Sequence, residues 1–156
     1  MASKVEQNLE GKGLSLPKVG KPVANYVPYT ITGNLVFISG QLPLLEGTVK
    51  FQGKLGHDVS LEEGQQAAQL CGLNILAQLK EACEGDLDRV LRCLRLGGFV
   101  NAIESYQDHP KVINGASDLM VDAFGEIGKH ARAAVGVSSL PLGASVEVEA
   151  LFELKR

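Results

Sequence analysis

A chain of 156 residues with 45% hydrophobic content is long enough for one domain with its own core and too short for two comfortable ones. Its net charge of −3 and pI near 5.6 supply no basic field for tracking a phosphate backbone. That argues against a general nucleic-acid binder and leaves small anions, which need only a local positive pocket, as candidate charged partners.

Residues 1–22, which include MASKVEQNLEGKG, are polar and rich in Gly and Pro and read as an irregular arm, with a single domain expected over 23–156. The start has no apolar signal-like core, and no later run reaches the roughly 18 apolar residues of a membrane span, so a soluble cytoplasmic protein is expected. ANYVPYTITGNLVFISG holds two β-rich runs split by Gly33-Asn34, a hairpin signal, with Leu35 to Ile38 apolar enough to be buried on both faces. A turn-rich excursion follows, with a short strand at Thr48 to Phe51.

Ser60-Leu-Glu-Glu63 has capping-box spacing and predicts a helix ending near Gly85, with Ala68, Cys71, Ile75, Leu79 and Ala82 down its apolar side. DRVLRCLRLGGFVNA reads as a strand, Val90, Arg92, Leu94 and Leu96 alternating with Leu91, Cys93 and Arg95. A shorter helix runs from Pro110 or Val112 to Gly125, its apolar side carrying Leu119, Met120, Ala123 and Phe124. In SVEVEALFELK the alternation has period two, with Val146, Val148, Ala150, Phe152 and Leu154 toward a core and mostly acidic residues opposite. In the strand before it, Ala131, Ala133, Val135 and Val137 make an apolar face, so Arg132, Ala134 and Gly136 point the other way together with His130.

The order β-β-(β)-α-β-α-β-β is an α+β arrangement with the helices on one face of a sheet. The other face carries small residues with isolated charges, and packing against further copies of the chain is the simplest way to cover it. With a turn centred in SSLPLG, antiparallel pairing with residue numbers summing to about 279 sets Arg132 opposite Glu147, and a register two residues longer sets it opposite Glu149. Either is an exposed ion pair worth under about 1 kcal/mol, or a site in which the guanidinium grips a substrate carboxylate and a glutamate positions water.

Other groups carry less. Cys71, Cys83 and Cys93 are odd in number, lack CxxC spacing and sit in apolar segments, as buried reduced thiols do. His57-Asp58 has no second histidine at ligand spacing, Gly11-Lys12-Gly13 lacks the ending of a phosphate loop, and Arg89, Arg92 and Arg95 do not all share a strand face. Nothing forms a Ser-His-Asp set.

RAAVGVSSLPLGASVEVEA, matching without a gap from Arg132 to Ala150, resembles the carboxy-terminal signature of the RidA/YjgF family of imine and enamine deaminases. NYVPYTITGNLVFISGQLP resembles its amino-terminal block, and VNAIESY and VINGASDLM fall where the family has a strand and the asparagine opening its second helix. The resemblance spans Tyr26 to the end. It implies a chorismate-mutase-like fold with a mixed sheet, assembled as a homotrimer with pockets between subunits.

It also implies hydrolysis of 2-imino or 2-enamino acids to 2-oxo acids and ammonia, as a 2-iminobutanoate/2-iminopropanoate deaminase does, with no metal and no organic cofactor. Arg132 would bind the carboxylate and Glu147 hold the attacking water. Tyr26, Ser39, Gly40, Asn114 and Ala134 would line the pocket. His130 stands where the family often has Pro, Ala134 puts no thiol beside the arginine, and the arm and the 44–60 loop are long. A non-catalytic binder of carboxylate-bearing ligands on the same fold is the alternative. A ribonuclease or translation inhibitor is disfavoured by the acidic pI and by the lack of aromatic stacking sites.

Overall fold

The computed structural model describes residues 1–19 and 25–156. The expected boundary between arm and domain, at residues 22 and 23, lies outside them. Ten elements position the site: α1 (Lys4–Glu10), β1 (Tyr29–Thr32), β2 (Leu35–Gln41), β3 (Leu44–Leu45), β4 (Thr48–Val49), α2 (Leu61–Ala82), β5 (Val90–Asn101), α3 (His109–Phe124), β6 (Ala131–Val137) and β7 (Val146–Leu154). Five strands form one mixed sheet in the order β1-β2-β7-β5-β6, parallel only between β5 and β6. The α+β class and the chorismate-mutase-like arrangement follow from this order, with α2 and α3 packed on one face.

The helices begin where their local chemistry favours it. Ser60 and Glu63 close the capping box, each side chain accepting the other's backbone N–H at 3.2 and 3.0 Å, and these bonds hold the Glu63 carboxyl below its usual range. Ala68, Cys71, Ile75 and Leu79 of α2 are fully buried against the sheet and α3. The two helices cross closely because Gly115 has no side chain: a Cβ there would lie 2.0 Å from the Gln65 carbonyl oxygen. Gly98 does the same beneath α3, where a Cβ would meet Ile113 at 2.5 Å.

Several expectations change. The amino-terminal segment is not wholly irregular. Ser3 caps α1 through the Glu6 N–H, Asp88 accepts from the Lys4 and Val5 amides, and Val5 and Leu9 enter the main core. Two apolar residues four apart are too short a pattern to announce a helix, yet long-range burial stabilises one. The Gly11-Lys12-Gly13 run is simply its end, with Gly13 at φ 73°. The short strand near Thr48 pairs only with β3, outside the main sheet. In β2, Val36 and Ile38 are buried but Phe37 is 43% exposed, so that strand has one core face rather than two.

In β5, register shifts between Val90 and Arg92 and between Cys93 and Arg95 reset the alternation. Val90, Cys93, Leu96, Gly98 and Val100 therefore all pair with inward residues of β7, while Arg92 and Arg95 share the open face, opposite Glu153 and Leu151. Arg92 and Arg95 thus lie on one face, a pairing that strict alternation denies, while Arg89 precedes the strand, so the three still do not all share a strand face.

The largest correction concerns the last two strands. They are not a hairpin: β7 inserts between β2 and β5, while β6 pairs in parallel with β5 at the sheet edge. Arg132 is therefore opposite Leu96, not Glu147 or Glu149. The faces of β6 are also reversed. Arg132, Ala134 and Gly136 align with the buried Leu96, Gly98 and Val100 and so turn toward α3, with Ala134 packed on the core. Val135, expected in the core, is 46% exposed on the open face. The small side chains of this edge strand leave room for α3, which the alternation of apolar letters alone does not reveal.

Candidate functional site

Two clusters gather the residues singled out by sequence, one on each face of the sheet. The first lies where β6 runs beside α3. Asn114 and Ser117, three apart and thus on one side of the helix, both face Arg132: Nη1 donates to Asn114 Oδ1 at 2.9 Å and to Ser117 Oγ at 3.2 Å. Arg132 is solvent-exposed, and among the described residues no carboxylate lies within ion-pair distance of it. With both Nη1 hydrogens engaged by neutral acceptors, the Nε–H and Nη2–H edge is left as a two-pronged donor.

Ser117 also bonds His130 Nε2 at 2.8 Å, and His130 Nδ1 lies 2.7 Å from the Gly128 carbonyl oxygen. Ala134, two residues along from Arg132, provides a short apolar floor. Ser117 escaped the sequence reading, although its i+3 spacing from Asn114 was the available signal.

The second cluster is built on β2 and β7. A bulge shifts the register between Ile38, paired with Ala150, and Gln41, paired with Val148. It throws Gly40 over the neighbouring strand, where a Cβ would stand 3.0 Å from the Glu147 carboxyl group. Glu147 is half-buried. Loss of hydration, and secondarily the nearby Glu149, raise its pKa above the usual carboxylate value. Ser39 is committed to structure: its Oγ donates to the Val27 carbonyl at 2.7 Å and its N–H to that of Pro28. These bonds tether the segment that carries the exposed Tyr26, which lines an apolar groove with Gly40, Leu45 and Leu73.

Arg132 and Glu147 are not neighbours within one chain. Glu147 pairs with Phe99 of β5, Phe99 with Val135 of β6, and Arg132 lies three residues away on the opposite face. The open face is held instead by Arg92 with Glu153 at 2.9 Å and, more loosely, Arg95 with Glu149 at 4.0 Å.

The remaining candidates are structural. Burial pushes the Cys83 and Cys93 thiols up to about 11 and about 12, and Cys71 upward as well; all three are free and buried. Asp58 accepts the Lys54 amide in a tight turn beside an exposed His57. Among the described residues no three His, Cys, Asp or Glu side chains come together as a metal site, and no helix is long and apolar enough to cross a membrane.

Comparison with known proteins shows the family of the chain. Residues 6–154 match the family described as "YjgF/chorismate_mutase-like, putative endoribonuclease". The chain is similar to Protein TCP17 of Trypanosoma cruzi, 46% identical over 154 residues, covering 98% of this chain and 96% of that one. Among solved structures, protein Atu1372 of Agrobacterium tumefaciens superposes with a TM-score of 0.93 at 47% identity, covering 97% of this chain and 93% of the other. RidA of the Antarctic bacterium Psychrobacter sp. superposes at 0.58 with 25% identity, covering 89% and 94%.

Proposed function

The chain belongs to the YjgF/chorismate-mutase-like family, and from that premise we propose that it hydrolyses 2-imino and 2-enamino acids to 2-oxo acids and ammonia, in pockets shared between subunits of a homotrimer. The observation that carries this reading is the bonding of Arg132. It is pinned by two neutral acceptors, left without a carboxylate partner among the described residues and exposed at a sheet edge. A surface ion pair, the plain alternative, needs a partner that the edge position of β6 removes. A guanidinium held in this way matches the two oxygens of a substrate carboxylate.

The clusters around Arg132 and Glu147 are complementary halves. One offers a fixed cation with an amide and a hydroxyl, the other a half-buried carboxylate beside a side-chain-free bulge. In a closed ring of copies, the Arg132 half of one subunit meets the Glu147 half of the next, and each pocket is complete only in the assembly. The exposed Phe37 and Val135 support the open sheet face as the surface that the ring covers.

The chemistry follows from the groups. With the carboxylate on Arg132, a water held by Glu147 adds to the imine carbon. A C–O bond forms, the C=N π pair moves to nitrogen, and nitrogen takes a proton. The carbinolamine then collapses: the hydroxyl proton passes by way of Glu147 to the amino nitrogen, the C–N bond breaks with its electron pair leaving on ammonia, and the carbonyl forms. A carboxyl with a raised pKa suits both the acceptance and the return of that proton. The imine is already electrophilic, so positioning supplies much of the rate.

The test is ammonia release from 2-iminobutyrate generated in situ by an amino-acid oxidase. The wild type accelerates release, and Arg132→Ala lowers kcat/KM by about 100-fold, about 2.7 kcal/mol of lost charge-assisted binding. No acceleration, with 2-oxobutyrate still stabilising the protein in an Arg132-dependent way, would identify a binding module instead.

A further inference from the structure

The Arg132 cluster contains a side chain to which the reaction above gives no task, His130, and it is joined to the guanidinium through Ser117. On a neutral imidazole their hydrogen bonds admit one arrangement of protons. The Gly128 carbonyl oxygen only accepts, so His130 Nδ1, at 2.7 Å, carries a hydrogen. Arg132 Nη1 only donates, so Ser117 Oγ, at 3.2 Å, accepts from it. The 2.8 Å contact between Ser117 Oγ and His130 Nε2 is then completed by the serine hydroxyl donating to an unprotonated Nε2. Donation runs one way, from Arg132 to Ser117 to His130 to the Gly128 carbonyl.

The far end of this chain cannot drift. Gly128 is buried so tightly under α3 that a Cβ would lie 2.1 Å from the Met120 carbonyl oxygen. The near end sets direction. Asn114 alone would leave the guanidinium free to swing about one bond, whereas Asn114 and Ser117 together occupy both Nη1 hydrogens.

Resting on the reading of Arg132 as a carboxylate grip, we infer that Ser117 and His130 are positioning residues, a relay that locks the guanidinium so that Nε and Nη2 meet the carboxylate side-on. The polarised serine hydroxyl makes a better acceptor for Nη1 than an isolated serine would. The unbroken direction of donation ties the arginine to the α3 backbone.

The test compares Ser117→Ala, Ser117→Thr, His130→Phe and His130→Gln by 2-oxobutyrate binding and by turnover, with 15N NMR of the histidine side chains in the wild type. The alanine and phenylalanine variants raise KM and the Kd for 2-oxobutyrate by about 3- to 10-fold, one hydrogen bond's worth of positioning, with kcat within about 2-fold. Threonine keeps the hydroxyl and glutamine keeps an acceptor in the Nε2 position, so both restore the wild-type Kd. The wild-type spectrum shows His130 as the Nδ1–H tautomer, identified by its loss in His130→Gln and perturbed in Ser117→Ala.

An Nε2–H tautomer in the wild type would overturn the relay whether or not any variant folds. A folded Ser117→Ala protein with unchanged Kd would overturn it as well, while leaving the deaminase reading intact. A wild type that shows the Nδ1–H tautomer but neither binds 2-oxobutyrate nor turns over imine supports the relay and removes the carboxylate reading instead.

Discussion

At the scale of single residues, the outcome turns on which atoms of Arg132 are already occupied. Nη1 is engaged by Asn114 and Ser117, and Nε and Nη2 make no hydrogen bond among the described residues. The same economy of space governs Gly128: replacing it with Ala drives a methyl into the Met120 carbonyl, so Gly128→Ala should lower urea stability by about 1–3 kcal/mol. It should also loosen the histidine that bonds the Gly128 carbonyl.

Glu147 gives a prediction with a sign. Its pKa is raised in the fold by lost hydration and by Glu149, so the folded state holds its proton to higher pH than the unfolded chain does. Ionised Glu147 is therefore a burden that is absent at low pH and grows as pH rises through the folded-state pKa. Glu147→Gln should raise Tm at pH 7 while abolishing turnover, with the gain shrinking below the ordinary carboxylate range; differential scanning calorimetry across pH checks it. From sequence, type and alternation single out Arg132 with Glu147 or Glu149 and the family resemblance selects Glu147, but the bonding of Asn114 and Ser117 to Arg132 is not legible, because it arises only through the α3–β6 packing.

At the scale of elements, the strong periodicities translated directly. The helix after Ser60, the helix ending at Gly125 and the alternating strand from Val146 stand where their apolar spacing puts them. What failed was pairing. Arg132 and the glutamates of β7 are close in sequence, and a short Pro/Gly connection between two strands favours a hairpin locally. The long-range contacts of β7 with β2 and β5 win instead and send β6 to the edge. The two register shifts in β5 similarly escape any reading by alternation, since each adds one residue that only a partner strand reveals.

The amino-terminal helix is the other surprise, and it is testable. Leu9 is 1% exposed within the main core, so Leu9→Ala should cost about 2–5 kcal/mol in denaturant unfolding. A residue in a loosely attached arm would change stability by a few tenths at most.

At the scale of the whole molecule, one chain presents two separated polar clusters, around Arg132 and around Glu147, and an open sheet face that carries apolar side chains and ion pairs. The sequence pointed to an uncovered sheet face but assigned Arg132, Ala134 and Gly136 to it, whereas the structure turns these toward α3 and leaves Phe37 and Val135 on the open side. No single-chain pattern encodes which surfaces of two copies meet. Val135→Lys places a charge on that face without touching the core, and should convert the assembly to folded monomers in analytical ultracentrifugation, with activity lost in parallel.

The most direct measurement mixes two defective proteins. Arg132→Ala and Glu147→Gln, each impaired by about 100-fold or more alone, are unfolded, combined in equal amounts and reassembled, and ammonia release from 2-iminobutyrate is followed. Random trimers with pockets shared across a cyclic interface regain about one quarter of the wild-type sites, because a pocket is intact only when each neighbour supplies its unaltered half. A mixture that stays inactive after reassembly into mixed trimers, or a variant that is fully active by itself, would contradict a shared pocket built from Arg132 and Glu147.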